Sequence, residues 1–117
     1  MSLYVRIQES AVAPEDFQAV RRLLEDEFLP ALQQRPGLVR AEVLLNASEE
    51  AGAAGVYLTA PPTNLVRAKL ITWWESFDDI NAAEQSPEIL PYLMQLLSYV
   101  KEPPVASVFE SPTIDRS

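Results

Sequence analysis

The sequence predicts an α+β fold in which two helical regions pack on one face of a four-stranded antiparallel sheet. Three observations predict this fold. Four short segments have strand patterns, two longer segments carry apolar residues at helical spacing, and their order along the chain is β-α-β-β-α-β. A length of 117 residues fits one such domain. We place that domain over residues 1–110 and a flexible tail over 111–117.

The first two strands alternate between apolar and polar residues. From Leu3 to Gln8 this alternation has the two-residue period of a strand with unlike faces, and the strand ends near Ala11. The segment from Leu38 to Leu45 alternates in the same way. A long loop is expected over residues 46–64, where the sequence turns small and irregular.

A long helix is predicted between these strands. Pro14 fits its first turn, and its apolar stripe repeats at helical spacing. The stripe consists of Phe17, Val20, Leu24, Phe28, Ala31 and Leu32. Pro30 lacks the N–H that would bond the carbonyl of Asp26, so we expect a kink there, and Pro36-Gly37 ends the helix.

The most apolar strand, from Leu65 to Glu75, is predicted to be central in the sheet. Ser76 is then suited to cap a helix that starts at Phe77, with Asp79 three residues further on.

The last part of the chain predicts a second helical region and a fourth strand. The helical signal restarts at Ser86-Pro87-Glu88, although Pro91 delays the regular helix. The apolar stripe consists of Ile89, Leu90, Leu93, Met94, Leu97 and Val100. The fourth strand runs from Val105 to Glu110.

Composition excludes several classes of function. Nine Lys and Arg against seventeen Asp and Glu give a net charge of −8, which disfavours nucleic acid and anionic membrane surfaces as partners. The chain has no Cys and no His, so thiol chemistry and the commonest general base and transition-metal ligand are missing. No basic leader or membrane span is recognised, and we expect a cytoplasmic protein.

The sheet face away from the helices is expected to be mixed. We assign to it aromatic residues interleaved with charged and polar ones: Tyr4, Arg6, Gln8, Arg40, Glu42, Lys69 and Trp73. Exposed aromatic surface is costly, so this face suits a homodimer in which two sheets pack face to face as a barrel. The alternative is a monomer with a solvated sheet face.

The order and spacing of these elements resemble the antibiotic-biosynthesis monooxygenase family of the dimeric α/β barrel superfamily, which has a ferredoxin-like fold. The resemblance covers residues 3–110. It rests on Pro36-Gly37 after the first helix, Trp74-Glu75-Ser76 after the third strand, Ser86-Pro87-Glu88 before the last helix and a final strand ending at Glu110. The 46–64 loop is longer than the turn usual in that family.

The resemblance implies a homodimer with a pocket between sheet and helices in each subunit. Some members oxidise phenolic or quinol-type substrates with molecular oxygen and no metal or flavin, so no cofactor is expected. Others degrade haem with an Asn on the first strand, a Trp ending the third and a His in the last helix. Trp74 fits the Trp position, but the His position falls near Leu93 and strand one has no Asn, so haem degradation by that mechanism is rejected.

Cofactor-free oxygenation needs an acidic phenol or enol whose anion is stabilised in a dry pocket. Donors to that anion are predicted from the Trp74 indole, the hydroxyls of Thr72 and Tyr92 and the Asn81 amide. Strand alternation puts Thr72 and Trp74 on one face. The competing interpretation of Trp74 is a core aromatic, that of Trp73 a dimer contact.

Three functions therefore stay open. The first is a cofactor-free monooxygenase acting on a small aromatic, quinol or polyketide-like molecule. The second is a non-catalytic or stress-related barrel that binds a small apolar ligand, and the third is a dimeric structural module with a filled pocket. Arg67 and Lys69 would attract an anionic substrate in the first, or serve only as ion-pair partners.

Overall fold

The sheet has the predicted topology. In the computed structural model, which describes residues 2–45 and 65–112, four antiparallel strands lie in the order β2-β3-β1-β4. The strands are β1 (Ser2–Val12), β2 (Leu38–Leu45), β3 (Val66–Trp74) and β4 (Val105–Pro112). Strand β3 is central, as its apolar sequence predicted. The α+β, ferredoxin-like fold is confirmed.

The strand ends differ slightly from the prediction. Strand β4 continues through Pro112, which pairs with Ser2 of β1. The first two residues of the predicted tail are therefore in the sheet. The loop at 46–64 and the remainder of the tail at 113–117 lie outside the described residues.

Helix α1 changes its pitch along its length. It starts with a 3₁₀ turn at Pro14–Asp16, is α-helical over Phe17–Arg22, π-helical over Leu23–Phe28 and α-helical again over Leu29–Gln33. The wider turn ends two residues before Pro30, the position of the expected kink, which stays a prediction. The N–H of Leu29 bonds the carbonyl of Leu24, five residues back, because the ladder is rearranged just ahead of the missing donor.

The second helical region has two helices, α2 (Phe77–Glu84) and α3 (Leu90–Tyr99). Ser76 caps α2 as predicted, since its hydroxyl oxygen accepts the N–H of Asp79 at 3.1 Å. Gly37, which was expected to end α1, has a φ of +83° and its carbonyl accepts the N–H of Glu75 at 2.9 Å. This bond joins the loop before β2 to the end of β3.

The core lies between the sheet and the helices. Its buried side chains come from the covered face of β1 and β3 and from all three helices: Val12, Val20, Leu23, Leu24, Phe28, Leu32, Ala68, Leu70, Trp74, Ile80, Ala83, Ile89 and Leu96. Within the part of the chain that the structure describes, no helix is long and apolar enough to cross a membrane. The cytoplasmic location stays a prediction.

Candidate functional site

The register of the sheet decides which side chains face the helices. Tyr4 pairs with Trp74, Arg6 with Thr72 and Gln8 with Leu70. Directly opposed residues of antiparallel strands point to the same face, so these strand-one residues lie on the covered face. Their expected place on the outer face was wrong.

The opposite face, here called the open face, is defined by Val5 and Ile7 of β1 and Ile71 and Trp73 of β3 on the two central strands. Charged residues flank this apolar centre, as expected for Arg40, Glu42 and Lys69. The Arg40 guanidinium lies 5.2 Å from the centre of the Trp73 ring. This face is therefore more apolar at its centre than the sequence assignment suggested.

A small cavity lies between the covered face and the helices, with a volume of about 30 Å³. Residues from two strands and from the helical segments line it: Arg6, Phe28, Leu32, Leu70, Thr72, Trp74, Ala83, Glu84, Ile89 and Leu93. Most of this wall is apolar. A space of this size holds about one water molecule. An aromatic ligand therefore enters only after side chains of the wall move.

Two predicted site residues meet on the cavity wall. Trp74 is only 2% exposed, and its indole N–H donates to the Thr72 hydroxyl oxygen at 2.7 Å. This bond uses the single donor of the indole, whereas the Thr72 hydroxyl keeps its own O–H to donate. A donor that also accepts a hydrogen bond is polarised by it. Thr72 is consequently the group of this pair that can donate to a ligand.

The other two predicted site residues lie elsewhere. Asn81 is exposed on α2 and does not line the cavity. Tyr92 lies on a separate groove of about 370 Å³ between the end of α1 and the start of α3. Ala31, Gln34, Pro87, Glu88 and Pro91 line that groove with it. The structure thus brings Thr72 and Trp74 together, apart from Asn81 and Tyr92.

Sequence reasoning missed the polar side chains that β1 and α2 bring to the cavity. Arg6 Nε donates to Glu84 Oε1 at 2.5 Å, and Arg6 Nη1 donates to Gln8 Oε1 at 2.8 Å. Gln8 is only 3% exposed. Two features of the sequence pointed to these residues. Glu84 follows Ile80 and Ala83, which are buried, at helical spacing. If Arg6 and Gln8 face the helices, the apolar residues of β1 form the opposite face of the strand.

Arg67 and Lys69 are ion-pair partners, which was predicted as the alternative to attracting an anionic substrate. Arg67 lies 3.6 Å from a Glu102 carboxylate oxygen, and Lys69 lies 3.5 Å from one of Glu9. Neither cation lines the cavity. Both are ion-pair partners, so the charge available to a cavity ligand comes from Arg6.

A second polar cluster joins the end of α1 to the turn before α3. The buried Ser86 hydroxyl donates to Glu88 Oε2 at 2.5 Å and accepts Arg35 Nη1 at 2.9 Å and the Glu88 N–H at 3.2 Å. These three bonds use the full capacity of a hydroxyl. The Ser86 hydroxyl, more than the Glu88 N–H and the Arg35 charge, lowers the pKa of Glu88.

Among residues 2–45 and 65–112, no three Asp or Glu side chains come together as a metal site would require.

Comparisons with known proteins report on the fold. No protein-family model and no curated protein matches the sequence. A candidate antibiotic biosynthesis monooxygenase from Nitrosomonas europaea superposes with a TM-score of 0.68 at 18% identity, covering 92% of this chain and 88% of that one. The chain has the antibiotic biosynthesis monooxygenase fold. The resemblance seen in the sequence is confirmed at this level.

Two other solved structures with this fold have different functional descriptions. SnoaB, a cofactor-independent oxygenase from Streptomyces nogalater, superposes with a TM-score of 0.60 at 17% identity, covering 98% of this chain and 95% of that one. A Nitrosomonas europaea protein described as of unknown function superposes at 0.68 with 11% identity, covering 100% and 96%. At these identities the antibiotic biosynthesis monooxygenase fold is shared, and a reaction must be argued from the cavity.

Proposed function

We propose that this protein is a cofactor-independent monooxygenase that acts on a small aromatic, quinol or polyketide-like substrate. The observation that carries the proposal is the cavity in which the Thr72 hydroxyl, backed by the Trp74 indole, faces apolar walls beneath the helices. SnoaB, which shares the fold, is named a cofactor-independent oxygenase, and this supports the same class of reaction here.

The cavity residues can supply what such a reaction requires. A phenol or enol acidic enough to lose its proton to solvent is electron-rich as an anion and reacts with oxygen, provided that the anion is stabilised and water is excluded. The substrate itself is the reductant: at a CH₂ carbon one oxygen atom replaces the two hydrogens as C=O, and the other leaves as water. The Thr72 O–H donates to that anion, and Trp74 acts through Thr72 by polarising the hydroxyl. The apolar side chains of Phe28, Leu32 and Leu70 exclude water from the reacting carbon.

Oxygen consumption with a panel of hydroquinones and anthrones tests this assignment. We expect turnover by the wild type and a loss of about 10²-fold in kcat for Thr72→Val, which keeps the shape of the side chain and removes the donor. Trp74→Phe should cost less, because its N–H reaches the substrate only through Thr72. Ser98→Ala, which removes a hydroxyl from an exposed position of α3 outside the cavity, is the control and should leave the rate unchanged.

Two results would contradict the mechanism in different ways. Equal rates for wild type and Trp74→Phe would remove Trp74 from it, and an unchanged rate for Thr72→Val would remove the hydroxyl. Absence of turnover with the whole panel would contradict the oxygenase itself. Saturable stabilisation by the same compounds in a thermal-shift assay, without turnover, would then favour a non-catalytic binding protein.

We also propose that the working unit is a homodimer joined through the open face. Val5, Ile7, Ile71 and Trp73 form an apolar centre on the side of the sheet away from all three helices. Burial of such a surface against its own copy about a two-fold axis would close two sheets into a barrel. The ion pairs at its margin, Arg40 with Glu42 and Lys69 with Glu9, suit a polar rim.

A further inference from the structure

The cavity wall carries a charged pair whose two partners differ in exposure. The Arg6 side chain is 14% exposed and that of Glu84 is 41% exposed. Arg21, Arg67 and Lys69 are about as exposed as their partners. Arg40 is more exposed than Glu42, and Arg35 is less exposed than Glu88. Arg6 has the least exposed side chain of these cations, and it alone among them lines the cavity. The Arg6–Glu84 pair therefore joins a charge held inside the fold to a carboxylate at its edge.

Arg6 is held in place by more than Glu84. The amide of Gln8, two residues along the same strand, accepts an Arg6 Nη1 hydrogen bond from a buried position. The guanidinium has five N–H donors, and these two described bonds use two of them. Release of Glu84 would leave Arg6 anchored at the cavity wall.

Glu84 can be released at low cost. A carboxylate that is already well exposed is hydrated again when it leaves its partner. The net free energy that its ion pair contributes is therefore small. The partly buried guanidinium, in contrast, loses favourable energy unless another anion takes its place. An anion that arrives in the cavity satisfies that need.

We infer that Arg6 is the specificity-determining residue of this cavity, that Glu84 is its displaceable counter-ion, and that the favoured ligand is a small aromatic anion. The planar guanidinium matches a carboxylate in a bidentate arrangement and also pairs with a phenolate or enolate oxygen. Arg6 stands opposite Thr72 in the sheet, so one ligand oxygen meets the guanidinium and the Thr72 hydroxyl from adjacent strands. This inference rests on the proposed function for the use of the cavity as the substrate site.

Binding of 2-naphthoate and its neutral isostere 2-naphthamide tests the inference without any oxidation step. Isothermal titration of the wild type should show naphthoate bound at least about tenfold more tightly than naphthamide, the range of a charge-assisted hydrogen bond. In Arg6→Gln that preference should disappear while the affinity for naphthamide is kept. In Glu84→Gln the naphthoate affinity should rise about threefold or more, because the competing charge is removed.

Arg21→Gln is the matched control. It removes the same charge from an exposed pair with Glu25 on α1, so both probes should bind as to the wild type. Circular dichroism establishes that each variant is folded. If Arg6→Gln fails to fold, Glu84→Gln decides alone.

Four results would overturn the inference. They are equal affinity of the wild type for the two probes, no binding of either probe, a naphthoate preference retained in Arg6→Gln, and unchanged or weaker naphthoate binding by Glu84→Gln. A purely structural pair would lower the affinity for both probes together when Arg6 is replaced. Failure of the oxygenase proposal looks different: the naphthoate preference depends on Arg6, yet no oxygen is consumed with any phenol.

Discussion

The two faces of this sheet differ in a way that ordinary patterning does not suggest. The face covered by helices holds an arginine, a glutamine and a threonine among its apolar side chains. The open face has valine, isoleucine and tryptophan at its centre. In most two-layer domains the covered face is the apolar one and the other is polar.

The polar groups on the covered face and the apolar residues on the open face have different consequences. Polar groups inside are costly unless each is hydrogen-bonded, and here they form two separate sets: Arg6 with Gln8 and Glu84, and Trp74 with Thr72. Both sets contribute side chains to the lining of the cavity. On the open face Val5 is buried and Ile7, Ile71 and Trp73 are half-buried in the single chain. The covered face thus carries the proposed ligand site, and the open face carries the proposed contact with a second subunit.

Two adjacent tryptophans provide the strongest test of this contrast. Trp74→Ala should lower the free energy of unfolding by about 3–5 kcal/mol, since it empties a buried site in the core. Trp73→Ala should cost less than about 1.5 kcal/mol when measured on dilute, dissociated protein, because its ring lies on the open face. Urea denaturation measures both, and equal losses would contradict the contrast.

The second test introduces a charge on the open face and measures whether the dimer dissociates. Ile71→Glu should raise the dimer dissociation constant by about 30-fold or more, because a two-fold axis places the new charge on both sides of the interface. Sedimentation velocity at micromolar concentration would show the monomer. Met94→Glu, an equally apolar-to-acidic change at an exposed position of α3, should leave the dimer intact. A monomeric wild type would refute the homodimer proposal.

Much of this fold followed from local patterns. The apolar stripe of α1, the Ser76 cap and the glycine at 37 each depend on residues close in sequence, and the apolar run of β3 placed that strand in the centre of the sheet. The stripe predicted for the last helix was partly wrong, because Leu90, Met94 and Leu97 are exposed and Leu96 is buried instead. The π-helical turn before Pro30 could not be predicted from the sequence, because a missing N–H predicts a disturbed helix but not the form that the disturbance takes.

The site was harder to predict than the fold. A period of two divides β1 into two faces but does not say which face turns inward. Polarity suggested that Arg6 and Gln8 face outward, but Arg6 bonds Gln8 on its own strand and Glu84, which is 78 residues away in the chain. Thr72 and Trp74 were predicted because strand alternation puts them on one face of β3 and because Trp74 fits the Trp position that the family resemblance implies. Asn81 and Tyr92 were proposed from residue type, and their roles stay predictions.

A backbone test addresses how the helix layer is held over the covered face. A Cβ added at Gly37 would lie 2.7 Å from the Asp79 Cβ, and the residue has a left-handed φ. Gly37→Ala should therefore lower the free energy of unfolding by about 1–3 kcal/mol. The same change in an Asp79→Ala background should cost less, because part of the clash is removed. Equal costs in the two backgrounds would assign the whole effect to φ.

The smallest effect is expected from Glu88, on the outside of the helix layer. Its pKa is lower in the folded protein than its ordinary value of 4.5, so ionised Glu88 stabilises the fold at and above that pH. The contribution is lost as the pH falls through the lowered value. Glu88→Gln should thus be less stable than the wild type at pH 7, and the two should converge in acid when urea unfolding is followed against pH.

The Ser86 hydroxyl is the largest cause of this shift, so Ser86→Ala provides the matched background. There, Glu88→Gln should change the pH dependence much less, because the carboxylate has lost its best partner. A pH-independent difference between wild type and Glu88→Gln would mean that its charge adds nothing to folding. The cluster with Arg35 would then hold α1 to the turn before α3 through neutral hydrogen bonds, and the covered face alone would carry the functional charge.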